Sequence, residues 1–176
     1  MRSLYPGLLL PGCFPCFERN CQMFRDQELF HGAAFARLLR RSGRATVTPA
    51  EAHPSAYLIE VGDSAVTVLF KVNRVRRKSP WQFTFTATEA DALTGLENSF
   101  PSHRRFVALI CRLDGVCCLT EEQVLFVLGG ELAGRAITVR RPRDGSYRVS
   151  GPDRRKLKET IPQNAWPCAL FASGND

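Results

Sequence analysis

Between residues 26 and 43 apolar positions recur with helical spacing, so that Ala34, Phe35, Ala36, Leu38 and Leu39 fall on one side of a helical wheel and Arg37, Arg40 and Arg41 on the other. Asp26 is placed to cap this helix, which runs to about Arg41 and stops at Gly43. The period then changes to two. "YLIEV" and "SAVTVLFKV" flank Gly62-Asp63, a pair suited to a two-residue hairpin turn with glycine first. After a basic stretch ended by Ser79-Pro80, Trp81, Phe83 and Phe85 alternate with Gln82, Thr84 and Thr86, which predicts a half-buried strand with its aromatics in the core.

Thr88 with Asp91 reads as a capping box for a short helix to about Leu96. "RRFVALICRLDGVCCLT" predicts a second hairpin around Asp114-Gly115, a type I′ turn signal between apolar strands. Thr120 with Gln123 opens another helix, "EEQVLFVL", closed by Gly129-Gly130. "AITVRRPRDGSYRVSG" predicts a third hairpin around Asp144-Gly145, followed by the basic "DRRKLKE" and the Pro-bounded "IPQNAWPCALF". The fold class is α+β: a mainly antiparallel mixed sheet built from three hairpins with about three short helices, in one domain.

Residues 1–22 differ from the rest, with Pro6, Pro11, Pro15 and three cysteines but no usable periodicity, and read as a poorly ordered extension of a domain at 23–176. Cys13, Cys16 and Cys21 form C-x2-C-x4-C, which with His31 would make four zinc-ligating groups. A strong zinc signature has two paired ligand turns, however, and His31 falls among the apolar positions of the first helix, so no metal or other cofactor is assigned. Without a run of about 18 apolar residues no helix is expected to span a membrane. The odd cysteine count, seven, fits reduced thiols and a cytoplasmic location.

Charge adds the main functional clue. The chain of 176 residues carries a net charge of +7, and 20 of its 24 basic residues are arginines, the side chain best suited to bidentate phosphate contacts. Lys71, Arg74, Arg76, Arg77 and Lys78 stand directly before the Trp81 strand, and residues 74–80 are expected to project as a solvated hairpin tip. Further groups are Arg37/Arg40/Arg41/Arg44, His103/Arg104/Arg105, Arg140/Arg141/Arg143 and Arg154/Arg155/Lys156/Lys158. The residues assigned to phosphate binding are Arg74, Arg76, Arg77, Lys78, Arg104, Arg105, Arg154, Arg155 and Lys156, with DNA or RNA as the partner.

Catalytic chemistry finds less support. Nothing in the spacing pairs Cys111, Cys117, Cys118 or Cys168 with His31, His53 or His103, and the first three thiols sit in apolar strands. Asp114 is read as a turn residue, and Glu121 and Glu122 as charges favoured at a helix start. No glycine-rich phosphate loop is present, since Gly129-Gly130 closes a helix. The α, β, β, β, α, β order is similar to that of the restriction-endonuclease-like core, a resemblance that implies an acidic residue and then a D/E-x-K pair on successive strands, together holding Mg²⁺. Glu60, Asp63 and Lys71 are the candidates here, but Leu69 stands where the second carboxylate belongs, and the Gly62-Asp63 turn pairs Glu60 with Ala65, far from Lys71. The leading expectation is therefore a basic, non-catalytic domain that binds nucleic acid through Arg-rich loops. A protein-interaction or assembly domain and a divergent metal-dependent nuclease are the alternatives, and oligomeric state is left open.

Overall fold

The computed structural model describes residues 25–75 and 78–172. Helix α1 (Asp26–Ser42) leads into strands β1 (Thr46–Pro49), β2 (Ala56–Val61), β3 (Ser64–Val72) and β4 (Trp81–Thr84). Helix α2 (Ala87–Ser99) and strands β5 (Arg104–Ile110) and β6 (Val116–Thr120) follow, then helix α3 (Glu121–Leu128), β7 (Ala136–Arg140), β8 (Arg148–Ser150) and helix α4 (Ala165–Phe171). The α+β class and its three hairpins are present, divided between two sheets and joined by a fourth helix. The larger sheet has the order β1-β2-β3-β5-β6, antiparallel except for β3 and β5, which run parallel because α2 carries the chain back across the sheet. The smaller sheet, β4-β7-β8, is antiparallel throughout.

Strand alternation divides the buried apolar side chains of the larger sheet between two cores. Val66, Val68 and Phe70 of β3 meet Ala34 and Leu38 of α1 and Trp166 and Leu170 of α4. Leu69 of β3 and Val107 and Leu109 of β5 face the opposite way, toward α2, α3 and the smaller sheet, where Trp81, Phe83 and Phe85 are buried. These aromatics are core residues, as their alternation predicts, so they offer no surface for stacking bases. Trp166 seals the other side, its indole N–H donating to the Ala34 carbonyl at 3.1 Å.

Several local expectations are corrected. Asp26 is the first helical residue of α1; Arg25 is the N-cap, and its N–H is accepted by Glu28 at 2.9 Å. The buried face of α1 is His31, Ala34 and Leu38, while Ala36, about 200° round the helix from Ala34, and Leu39 look to solvent. The capping box of α2 lies two residues earlier than expected. Thr86 Oγ1 accepts from the Glu89 N–H at 3.2 Å and Glu89 accepts from the Thr86 N–H at 2.8 Å, a reach for which glutamate has the length. The hairpin expected to join β3 and β4 is not made, because β4 leaves the sheet of β3 and pairs with β7. The β5-β6 connection spans residues 111–115 instead of a two-residue type I′ turn, with Arg112 at φ 56° and the Cys111 N–H donating to the Gly115 carbonyl. Gly62 (φ 57°) and the Thr120–Gln123 capping box match expectation.

Candidate functional site

In a sheet with a parallel pair, the crevice beyond the carboxyl ends of the strands is a natural place for a ligand. Here the end of β3, the residues before β2 and the first turns of α1 and α2 enclose a cleft of about 590 Å³, lined by Gln27, His53, Ser55, Lys71, Arg74 and Glu89 among others. Alternation turns Lys71 away from α1 and toward α2. Its ammonium donates to both Glu89 carboxylate oxygens at 2.5 and 2.6 Å and lies 5.1 Å from the centre of the Phe85 ring. The two side chains are only 11% and 13% exposed. Burial alone would raise the Glu89 carboxyl, but hydrogen bonds from Lys71 and from the Thr86 backbone hold it below the usual glutamate range. On the opposite wall the buried Ser55 hydroxyl accepts from the Gln27 amide, and Arg74 donates to the Gln27 carbonyl oxygen at 3.1 Å.

The cleft does not fit the metal that the restriction-endonuclease-like order implies. Ala56 pairs with Leu69, so a carboxylate on β2 able to meet position 69 would have to stand beside Ala56, where Pro54, Ser55 and Tyr57 are found. Glu60 pairs with Ala65 and Asp63 lies in the turn, both at the other end of the hairpin from Lys71. Glu89, which sequence spacing did not single out, supplies a carboxylate from α2, and Lys71 occupies it. Among the described residues no three His, Cys, Asp or Glu side chains converge into a set that could hold a metal ion. Cys13, Cys16 and Cys21 lie outside the described residues; His31 is buried in α1, with Nδ1 3.1 Å from the Tyr57 hydroxyl.

A second groove runs between α1 and α4, enclosing about 520 Å³. Arg37, Arg40 and Arg41 stand three and four residues apart, which places them on one strip of the helix, and all three are exposed. Gln163, Asn164 and Cys168 form the facing wall. None of the three arginines has an acidic partner among the described residues, whereas Arg105, Arg112, Arg135 and Arg141 all do. Comparison of the chain with protein-family models, curated proteins and solved structures finds no match.

The residues assigned from sequence divide by location. Arg104 donates to the carbonyls of Leu170 and Ala172 and lies over Phe106, so it fastens α4 to β5. Arg105 is bound to Glu121 and, at 3.4 Å, to Glu97, joining β5 to α3 and α2. Both are engaged by the fold. Arg76 and Arg77 lie outside the described residues. Arg74 borders the Lys71 cleft, and Lys78 stands near Arg141 and Arg143. Arg154, Arg155 and Lys156 are exposed on the turn after β8, on the side of the molecule occupied by α3. Burial pushes Cys118 up to about 12 and Cys111 and Cys117 well above the usual thiol range, which makes them core residues without nucleophilic character.

Sequence reading also missed Asp114 as more than a turn residue. Its carboxylate accepts two bonds from Arg141, at 2.5 and 2.7 Å, and one from the Tyr147 hydroxyl at 3.0 Å, while its carbonyl accepts from Gln163 at 3.0 Å. The β5-β6 loop of the larger sheet is thereby tied to the connection between β7 and β8 of the smaller one and to the wall of the arginine groove.

Proposed function

We propose that this protein is a nucleic-acid-binding domain that holds the phosphate backbone through arginines and does not cleave it. The observation that carries the proposal is the groove between α1 and α4, where Arg37, Arg40 and Arg41 share one strip of helix without an acidic partner among the described residues. Like charges three and four residues apart repel and cost a helix a few tenths of a kcal/mol each. An arrangement that keeps them together in a groove, with the amide side chains of Gln163 and Asn164 opposite, suits a ligand with regularly spaced negative charge. Arg74, Lys78, Arg154, Arg155 and Lys156 extend the positive surface on other sides. The Lys71 cleft supports the non-catalytic half of the reading, because its one carboxylate is taken up by Lys71 and the carboxylate of β2, Glu60, pairs with Ala65 at the other end of the hairpin, too far to complete a Mg²⁺ site.

The test is a titration of labelled single- and double-stranded DNA and RNA, read by anisotropy at several salt concentrations. Affinity should fall linearly on a log–log plot against salt, with a slope that counts the phosphates contacted. Arg37→Ala, Arg40→Ala and Arg41→Ala combined should weaken binding uniformly across sequences. Incubation of the same nucleic acids with Mg²⁺ or Mn²⁺ should leave them uncut; cleavage would replace this reading with the nuclease one. A stable complex with an acidic protein and no affinity for nucleic acid would replace it with the protein-interaction one.

A further inference from the structure

Phe126, on α3, is 56% exposed and is the one aromatic side chain with so much of its surface in solvent among the described residues. The chain after β8 is pressed against this helix. Gly151 makes that possible, since a Cβ at this position would stand 2.2 Å from the Val127 carbonyl oxygen. The turn that follows is closed by the Arg155 N–H on the Pro152 carbonyl and the Gly151 N–H on the Arg155 carbonyl, with Asp153 and Arg154 both left-handed at φ 56° and 60°. Two successive non-glycine residues in that region are costly and persist only where the surroundings enforce them. The result is to set Arg154, Arg155 and Lys156 beside the exposed end of α3. The Arg155 guanidinium lies over Gly129, 3.1 Å from where a Cβ would be, and its Nη1 reaches the Phe126 carbonyl at 3.5 Å.

Resting on the nucleic-acid reading, we infer that Phe126 and the Arg154–Lys156 turn form a base-stacking site for single-stranded nucleic acid, in which the Phe126 ring takes one base and the three cations hold the flanking phosphates. An aromatic face beside cations is the recurring arrangement for unpaired strands, because every base has a stackable face while a duplex hides it. The core aromatics cannot do this: Trp81, Phe83 and Phe85 are at most 2% exposed. Nearby acidic groups set the limits of the site. Asp153 is paired with Arg135 at 3.4 Å, Glu121 is bound to Arg105, and Glu122 is exposed one turn before Phe126 on the same face of α3. The path of the strand should therefore run from Phe126 toward the turn and away from Glu122.

The experiment compares the full chain with Phe126→Ala, Phe126→Trp and Arg154→Ala/Arg155→Ala on a labelled single-stranded 15-mer and its duplex. Phe126→Ala should weaken single-strand binding about tenfold, the lower part of the range for one stacked base, and leave duplex binding unchanged. The new, exposed tryptophan of Phe126→Trp should be quenched by the single strand and not by the duplex. Arg154→Ala/Arg155→Ala should weaken both. If the parent chain binds nucleic acid but Phe126→Ala binds the single strand equally well, or the Phe126→Trp emission is unmoved, the stacking site is overturned while the backbone-binding reading stands. If the parent chain binds neither form at low salt, both fall together.

Discussion

Replacing Asp114 by asparagine tests whether one carboxylate joins the two sheets. The substitution keeps the shape of the side chain but removes its charge and one acceptor oxygen, setting an amide N–H₂ against a guanidinium that also only donates. Arg141 makes two charge-assisted bonds to this group, and its guanidinium and the carboxylate are 15% and 19% exposed. A hydrogen bond to a charged group contributes about 1.5–3 kcal/mol. Losing one, weakening the other and leaving Arg141 half-paired, with some relief from water, gives about 3 kcal/mol. With a urea m-value of about 2 kcal/mol/M, the midpoint should fall by about 1.5 M. Trp81 and Trp166 lie in different cores, so tryptophan emission reports both sides of the larger sheet in one unfolding curve. The Arg141→Met variant should cost a similar amount, and the double variant distinctly less than the sum. A midpoint shift under about 0.3 M, or strict additivity, would refute the lock and leave Asp114 a turn residue.

Other consequences follow from buried groups. Burial lowers the His31 imidazole to about 4, opposed only partly by Glu28, so between about pH 6.5 and 4 the unfolded chain binds a proton that the folded one does not. Stability should therefore decline across that window on acidification by about 2–3 kcal/mol, and His31→Phe should flatten the decline when urea midpoints are compared at pH 7 and 4.5. Glu89, held below its ordinary range, adds a contribution present above the unfolded carboxylate pKa and lost as pH falls through the folded one. Glu89→Gln strands the Lys71 ammonium in a site 11% exposed and should cost about 3 kcal/mol, with Lys71→Met restoring part of the loss in the double variant. Gly151→Ala drives a methyl into the Val127 carbonyl and should destabilise by about 2 kcal/mol while moving the Arg154–Lys156 turn off α3, visible as reduced protection of α3 amides in hydrogen exchange.

What the sequence made legible was local. The alternation of Trp81, Phe83 and Phe85 identified a core strand because a period of two is written in adjacent residues, and Thr120 with Gln123 marked a helix start for the same reason. What it hid was set by partners far along the chain. Arg104 looks like a member of a basic surface cluster until its carbonyl partners, Leu170 and Ala172, are brought to it by α4. Glu89 becomes the carboxylate of the Lys71 cleft because α2 starts against β3, and residue spacing carries no trace of that approach. The parallel pairing of β3 and β5 likewise depends on a crossover that sends β4 into a second sheet. Conversely, Arg37, Arg40 and Arg41 were recognisable as a stripe, but only the position of α4 turns the stripe into a groove.

The most direct test of that groove is the salt dependence of nucleic-acid affinity for the parent chain and for the Arg37→Ala/Arg40→Ala/Arg41→Ala variant, measured by anisotropy on a labelled duplex. If these arginines neutralise phosphates, the variant's log–log slope should be shallower by about 3, with weakened binding at every salt concentration. An unchanged slope and affinity, with both proteins equally folded, would contradict the account.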